Sequence, residues 1–95
     1  MYENVVDIEF DPSKSEENVA TRGLPFSLVA GFDWGTALVV ADQRHAYPEP
    51  RFLALGVITG RVHAVVFTPT TKGVRVISFR KANRREVRKY DQAQS

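Results

Sequence analysis

The fold is decided by residues 51–80, which read RFLALGVITGRVHAVVFTPTTKGVRVISFR. Runs of apolar and β-branched side chains at residues 51–58, 62–68 and 73–80 predict three strands. Short segments separate these runs, and the first of them, residues 59–61, contains a glycine suited to a tight turn. Successive strands joined by short turns predict an antiparallel meander.

A basic helix is predicted directly after the meander. Asn83 is a suitable N-cap, and the pattern predicts a helix that continues to about residue 92. Residues 72–90 contain eight Lys or Arg side chains and one acid, Glu86. A phosphate backbone is the partner that such a clustered positive surface binds most readily. A solvated helix face and a surface that grips an acidic or apolar partner segment are the alternatives.

The N-terminal half adds helices and short strands to this meander. Asp11 is a good N-cap, Pro12 suits the first helical position, and Gly23 is placed to end the helix. We expect Val19 and Ala20 to face inward from this helix. A second short helix is predicted at residues 26–32, and short strands are predicted at residues 5–10 and 37–41. The predicted fold is α+β, a small antiparallel sheet of three to five strands packed by two N-terminal helices and one C-terminal helix.

The bulk composition is that of one folded domain. Ninety-five residues leave room for a single core, so we expect one domain over residues 1–95. The chain has no cysteine, which excludes disulfides and thiolate chemistry. No apolar run approaches the roughly 20 residues of a membrane-spanning helix, and the first residues lack the features of a signal peptide. We therefore expect a soluble, cytoplasmic protein.

Charge is distributed unevenly between the two halves of the chain. Residues 1–50 contain nine acids and three bases, whereas residues 51–95 contain two acids and ten bases. Such asymmetry is typical of proteins that bind nucleic acid or an acidic partner. The alternative is that the two halves neutralise each other across the fold.

Blocks of sequence over about residues 8–90 resemble the BrnT toxins. The first block is Glu9-Phe10-Asp11 with Lys14 and Asn18, followed by Arg22-Gly23 and Pro25-Phe26. The middle blocks are Glu49-Pro50-Arg51-Phe52-Leu53-Ala54-Leu55-Gly56 and Val65-Val66-Phe67-Thr68. The most specific block is Arg75-Val76-Ile77-Ser78-Phe79-Arg80-Lys81-Ala82, and Glu86 and Tyr90 fall where the family carries Glu and Tyr on its last helix.

The resemblance implies a function, a fold and a partner. BrnT proteins are ribonuclease toxins of type II toxin–antitoxin modules, with a fold similar to the RelE toxins. The implied partners are an RNA substrate and a BrnA-like antitoxin with a ribbon-helix-helix DNA-binding domain, in a possible higher-order complex. Arg22 stands where the family has a histidine, and a guanidinium cannot serve as a base near neutral pH.

Cleavage of RNA at a 2′-hydroxyl needs three groups. One takes the 2′ proton, one stabilises the pentavalent phosphorane and one protonates the 5′ leaving oxygen. Arginine suits the second task because its guanidinium binds two phosphate oxygens at once. The predicted catalytic residues are Arg51, Arg75, Arg80, Lys14 and Glu86. The predicted RNA-binding residues are Arg22, Lys81, Arg84, Arg85, Arg88 and Tyr90.

The geometry and roles of these residues stay open at the level of sequence. Arg75 and Arg80 are five positions apart, so on an ideal strand they point to opposite faces. A bulge, or a strand that ends before Arg80, would bring them to one site. Lys14 is also compatible with a phosphate contact, and Glu86 with a simple salt bridge on the helix.

The histidines and the tryptophan carry separate predictions. His63 lies early in a strand and is predicted to be structural, whereas His45 lies in a proline-bearing loop within reach of a substrate. Two histidines without cysteine are too few for a metal site, so we expect no metal, no cofactor and a metal-independent reaction. Trp34 is predicted to contact a partner at the surface, while the phenylalanines are predicted to form the core.

Three functions are compatible with these features. The first is a metal-independent ribonuclease toxin that a BrnA-like antitoxin neutralises. The second is a non-catalytic nucleic-acid-binding module, a degenerate toxin that needs no proton-transfer groups. The third is an interaction protein whose basic half docks an acidic partner.

Overall fold

The chain forms a five-stranded sheet in the order β1-β5-β4-β3-β2, in a computed structural model that describes residues 6–95. The strands are β1 (Asp7–Glu9), β2 (Leu38–Ala41), β3 (Phe52–Ile58), β4 (Arg61–Pro69) and β5 (Gly73–Lys81). The helices are α1 (Pro12–Arg22), a 3₁₀ helix (Phe26–Gly31) and α2 (Arg84–Gln94). The predicted strand at residues 5–10 begins at Val5, which lies outside the described residues.

The predicted meander is confirmed, but the prediction of an antiparallel sheet is wrong. The strands β2, β3, β4 and β5 pair antiparallel with their neighbours, and the β3–β4 turn has a φ of 77° at Gly60. The first strand, β1, pairs parallel with β5, so the sheet is mixed. The whole meander separates these two strands along the chain, and no local turn signal therefore indicates their relative direction.

One face of the sheet, here called the phenylalanine face, carries the main core. It is covered by Leu24 and by Phe26 and Val29 of the 3₁₀ helix, and all six phenylalanines of the chain pack there. The ring of Phe79 is fully buried and meets the ring of Phe26 edge-on, at 6.5 Å between centroids. Gly56 makes room for one of these rings, because a Cβ at that position would lie 2.5 Å from Cζ of Phe32. The predicted phenylalanine core is confirmed.

The other face, here called the open face, is only partly covered. Helix α2 packs Tyr90 and Val87 against a smaller cluster that includes Leu55, Val62 and Ala64. The predicted N-cap Asn83 is confirmed: its side chain accepts from the backbone N–H of Glu86, and the Glu86 carboxylate accepts from the backbone N–H of Asn83. This capping box fixes the start of α2 above the end of β5.

Helix α1 is attached differently from the prediction. Val19 is 45% exposed and Ala20 is also exposed, so the expectation that both face inward is wrong. The buried residue of the helix is Ser15, whose Oγ accepts a hydrogen bond of 2.9 Å from the backbone N–H of Phe26. A polar anchor therefore replaces the expected apolar contact.

Trp34 lies at the margin of the core and is partly buried. Its indole packs against the rings of Phe32 and Phe67, with centroids 4.6 and 5.2 Å away. The indole Nε1 is buried and has no hydrogen-bond partner among the described residues. The ring therefore adds to the aromatic cluster of the phenylalanine face, and its contact with a partner stays a prediction.

Candidate functional site

A β-bulge in β5 decides where the predicted arginines point. Val66 pairs with Ser78, but the next residue of β4, Phe67, pairs with Val76, so Ile77 is an extra residue. The bulge shifts the alternation of side chains by one position. Arg75 and Arg80 therefore lie on the same face of the sheet, which is the open face. The structure selects the bulge from the two arrangements that the sequence left open.

Arg51 lies on the same face. The register that pairs Phe52 with Phe67 continues outward, because the backbone N–H of Asp42 donates to the Arg51 carbonyl at 2.8 Å. Strand alternation then places Arg51 on the side opposite to Phe52, which belongs to the phenylalanine face. The open face thus collects three of the residues predicted to be catalytic.

Arg80 and Glu86 form the centre of the site. The guanidinium donates from Nη1 to Oε1 at 2.8 Å and from Nη2 to Oε2 at 3.0 Å. The Arg80 hydrogen bonds hold the pKa of Glu86 below its usual value, and the carboxylate in turn raises the pKa of Arg80. A bidentate pair of this kind fixes the plane of the guanidinium. Helix α2 therefore holds Arg80 in one orientation through its own capping residue.

A cavity of about 370 Å³, here called the central cavity, opens beside this pair. Its wall combines the end of β2, the following loop, the middle of the sheet and the start of α2. The residues that line it are Val40, Ala41, Asp42, Gln43, Arg44, Leu53, Val66, Ser78, Arg80 and Glu86.

A second arginine pair closes the other wall of the central cavity. Arg44 donates from Nε and Nη2 to the two oxygens of Asp42, at 2.8 and 2.9 Å. These bonds lower the pKa of Asp42. The Asp42 side chain is 4% exposed, whereas that of Arg44 is 70% exposed. The carboxylate therefore lies behind the guanidinium, and the charge that a ligand meets at this rim is positive.

A second cavity, here called the edge cavity, has a volume of about 400 Å³ and lies between α1 and β5. It exists because β1 pairs only with residues 73–75, which leaves the following edge of β5 without a strand among the described residues. Asn18 covers part of this edge by donating from Nδ2 to the carbonyls of Phe79 and Leu24 at 3.0 and 2.7 Å. The lining residues are Lys14, Glu17, Asn18, Thr21, Arg22, Phe26, Ile77 and Ser78.

Ser78 joins the two cavities, because it lines both of them. It lies next to the bulge residue Ile77, at the point where the edge of β5 turns over onto the open face. Lys14 and Arg22 line the cavity on one side of Ser78, and Arg80 lines the cavity on the other. The arrangement forms a continuous polar track over the bulge.

The proline-bearing loop carries Arg51 and His45. The Arg51 guanidinium lies 4.1 Å from the centroid of the Tyr47 ring, and its Nη2 lies 3.5 Å from Oε2 of Glu49. Arg51 Nε has no hydrogen-bond partner among the described residues, so most donors of this guanidinium remain unused. His45 is exposed and packs against the edge of Tyr47, at 5.7 Å between centroids.

The remaining predicted residues lie outside the track. Arg84, Arg85 and Arg88 are exposed on α2, and Lys81 is exposed at the end of β5. Tyr90 is buried, and its hydroxyl lies 2.9 Å from Oγ1 of Thr36. Arg75 is on the open face, where it pairs with Glu9 at 3.1 Å. The structure therefore separates the predicted set into four groups: the track, Arg51 and Arg75 elsewhere on the open face, the exposed cations of α2 with Lys81, and a buried tyrosine.

Sequence reasoning missed three residues of the track: Asp42, Arg44 and Ser78. Arg44 and Asp42 lie in a polar loop, where nothing in the local pattern indicates a buried carboxylate. Ser78 is part of the block that resembles BrnT and lies between Arg75 and Arg80 in sequence. That position was the one signal that could have identified it as a candidate site residue.

Two further observations concern metals and membranes. Within residues 6–95, no three His, Cys, Asp or Glu side chains are grouped as metal ligands would be. None of the helices in that part of the chain has both the length and the apolar character that crossing a membrane requires.

Comparison with known proteins gives first the class and then the family. A family model described as the ribonuclease toxin, BrnT, of type II toxin–antitoxin systems matches residues 10–86. The chain therefore belongs to the BrnT family. A search of curated proteins and a search of solved structures each gave no match. The resemblance of the sequence blocks to BrnT is thus confirmed, while similarity of the fold to RelE toxins stays a prediction.

Proposed function

We propose that this BrnT toxin cleaves RNA at the central cavity, without a metal ion, by attack of a 2′-hydroxyl on the neighbouring phosphorus. The new bond from the 2′ oxygen to phosphorus forms as the bond to the 5′ oxygen breaks, the 2′ oxygen loses its proton and the 5′ oxygen leaves with one. The observation that carries the proposal is the Arg80–Glu86 pair, which holds a guanidinium rigidly at the mouth of an open cavity. Family membership supplies the class of reaction, a ribonuclease.

Arg80 is the residue proposed to stabilise the phosphorane. Its Nε hydrogen is not used by Glu86, and the side chain is 35% exposed, so the guanidinium can still donate to phosphate oxygens. A preoriented donor needs little reorganisation when charge develops in the transition state, which is why such groups contribute strongly to catalysis.

Glu86 is proposed as a positioning residue. Its Oε1 accepts from Arg80 and from the backbone N–H of Asn83, and its Oε2 accepts from Arg80. The carboxyl side chain is only 13% exposed. Both oxygens are therefore engaged in holding Arg80 and the helix, which favours orientation over proton transfer.

Lys14 and Arg22 are proposed to hold the RNA strand on the far side of the bulge. Both line the edge cavity, and Arg22 is only loosely attached, at 3.5 Å from the Phe79 carbonyl. Neither forms an ion pair among the described residues, so each has charge available for a phosphate. A chain that crosses Ser78 would place consecutive phosphates against Arg80 and against this pair.

Arg51, Arg44 and the exposed cations of α2 complete the proposal as sites of RNA attraction. A surface that presents guanidinium groups in front of buried carboxylates attracts phosphates while its net charge stays low. The proposed protein partner is a BrnA-like ribbon-helix-helix antitoxin, which would neutralise the toxin by covering this surface.

The test is cleavage of a mixed-sequence RNA by purified, antitoxin-free protein, without ribosomes and with EDTA. We expect the native protein to cut the RNA. Arg80→Ala should lower the cleavage rate by about 10²–10³, because one transition-state donor is lost. Arg61→Ala is the matched control, since it removes the same side chain from the exposed start of β4, and its rate should stay within about twofold.

The outcomes separate the alternatives. Equal loss in both arginine variants would contradict the assignment of the site to Arg80. Cleavage that EDTA abolishes would contradict the metal-independent mechanism. Intact RNA, from folded protein that still binds RNA in a salt-dependent way, would instead indicate a non-catalytic binding module.

A further inference from the structure

Strand β2 is an edge strand whose outer side is unpaired among residues 6–95. It is the last strand in the order β1-β5-β4-β3-β2. Val39 is 45% exposed and Val40 is 49% exposed. These are two of the four large hydrophobic side chains that are exposed among the described residues. An apolar edge strand is a template for pairing with another chain, and natural proteins usually protect such edges with charges or prolines. Residues 38–41 contain neither.

The backbone groups that face outward can be assigned from the ladder. The N–H of Asp42 donates to the carbonyl of Arg51 on β3. In an antiparallel pair, alternate residues direct their N–H and C=O groups toward the partner strand. Val40 and Leu38 therefore also face β3, and Val39 and Ala41 direct their backbone groups to the open edge.

We propose that an extended segment of the antitoxin adds a strand to the outer edge of β2. This inference rests on the proposed function, in which a protein antitoxin neutralises the toxin. The incoming segment would exchange hydrogen bonds with the outward groups of Val39 and Ala41. It would cover one valine on each face of the sheet, because successive side chains of a strand point to opposite sides.

The position of β2 gives this pairing a consequence for the site. Val40 and Ala41 line the central cavity. The residue of the added strand opposite Val40 shares its face, so its side chain points over the mouth of that cavity. The segment therefore blocks access to Arg80 without touching the catalytic pair through its backbone.

Charge indicates the chemistry of the segment. The rim next to β2 presents Arg44, while its carboxylate partner is buried. The residue that lies over the cavity is therefore acidic, and its neighbours on either side are apolar or β-branched. A second copy of the toxin fits less well, because its own β2 strand, residues 38–41, carries no acidic side chain to meet Arg44.

Hydrogen exchange of single amides tests the proposal on the purified toxin and on the complex with its co-expressed antitoxin. In free toxin, the amides of Val39 and Ala41 should exchange fast, while that of Val40 is protected by β3. In the complex, the amides of Val39 and Ala41 should slow by at least about tenfold. A complex that forms with both amides still exchanging fast would overturn the proposal. Concentration-dependent protection in the toxin alone would show pairing between copies and would also overturn it.

Matched variants of one residue provide a second test. Val39→Pro removes an outward N–H without removing a bond to β3, and proline is tolerated at such edge positions. Val39→Thr keeps the β-branched shape and the N–H. We expect Val39→Pro to weaken antitoxin binding by at least about tenfold and Val39→Thr by less than about threefold. Equal affinities in both variants would contradict pairing at this edge.

The two proposals fail separately in these experiments. Val39 does not line either cavity of the track, so both variants should cleave RNA at the native rate. If the native protein does not cleave RNA, the ribonuclease site is contradicted, while hydrogen exchange of the β2 amides still tests the docking edge. Unchanged cleavage with unprotected β2 amides in the complex would contradict only the docking edge.

Discussion

The two faces of the sheet use the same strands for different purposes. The phenylalanine face is covered along its length and packs aromatic rings around Phe79. Within residues 6–95, α2 is the helix that covers the open face, and beyond that helix the sheet carries Arg75 and Arg80, each paired with a carboxylate. The difference shows that a small domain can place its main hydrophobic core on one face of a sheet and its exposed charged side chains on the other.

The arginine pairs explain how charged side chains are tolerated on a sheet. A buried carboxylate without a partner would be strongly destabilising, and a guanidinium that donates to it offsets much of that cost. At Asp42–Arg44 the acid is buried and the base is exposed. Acids from the N-terminal half and bases from the C-terminal half thus do neutralise each other in part, as at Glu9–Arg75. The accessible face nevertheless stays basic.

The largest expected effect is on stability and comes from a substitution in the phenylalanine face. Phe79→Ala should lower the free energy of unfolding by about 3–5 kcal/mol, because a fully buried ring is replaced by a cavity. Urea denaturation measures the loss. Leu28→Ala, at an exposed apolar side chain of the 3₁₀ helix, is the control and should cost below about 1 kcal/mol. Similar losses in both variants would contradict the contrast between core and surface.

The second effect concerns the open face alone. Glu86→Gln keeps a side chain that can cap α2 but removes the charge that fixes Arg80. RNA cleavage should fall about tenfold, and RNA binding should change by less than about threefold, since the guanidinium remains but is less well oriented. Single-turnover cleavage and a binding titration separate the two quantities. A larger loss of binding than of cleavage would argue against a positioning role.

Acid should affect the two faces at different pH. His63 is buried against Phe79, and this burial lowers its pKa below the ordinary value of 6.5. The unfolded state therefore binds more protons than the folded state as pH falls below about 6.5, and stability drops there by at most about 1.4 kcal/mol per pH unit. The depressed pKa values of Glu86 and Asp42 give a second loss as pH falls below their ordinary values of 4.5 and 3.8.

His63→Gln isolates the first of these losses. Urea unfolding at pH 7.5, 6.5 and 5.5 should show a smaller decrease in stability for the variant than for the native protein. The loss below about pH 4.5 should persist, because it belongs to the carboxylates of the open face. The same slope in both proteins between pH 6.5 and 5.5 would show that His63 does not titrate with folding.

The smallest effect tests where the covered part of the open face ends. Tyr90→Phe removes the hydroxyl contact with Thr36 and leaves the buried ring in place. We expect a loss of about 1 kcal/mol in stability and no change in RNA affinity. Arg88→Ala, two residues earlier on the exposed side of α2, should show the reverse pattern. A fall in RNA affinity for Tyr90→Phe would restore the role that the sequence predicted for this residue.

Local signals predicted most of the elements. Asp11, Gly23 and Asn83 cap the helices where the sequence placed the helix ends, because capping depends on a few neighbouring backbone groups. Gly60 predicted the β3–β4 turn for the same reason. Features that depend on contacts between distant residues were not predictable in this way.

The failures illustrate that limit. The parallel pairing of β1 with β5 and the packing of Trp34 against Phe67 both depend on residues far away in sequence. Within the site, the sequence indicated Arg80 and Glu86 but not their mutual contact, and it gave no sign that Asp42 is buried behind Arg44. Composition predicted a basic surface, but only the fold shows which cations face a cavity.

The bulge at Ile77 has a consequence for how this strand can change by mutation. Deleting that single codon would remove the bulge and keep the faces of β5, because Val76 would still oppose Phe67 and Ser78 would still oppose Val66. Phe79 would stay in the aromatic core and Arg80 would stay on the open face. We therefore expect the bulge to be the place in β5 where the loss of one residue is tolerated, since elsewhere a shift of one residue reverses the faces unless the bulge is lost in compensation.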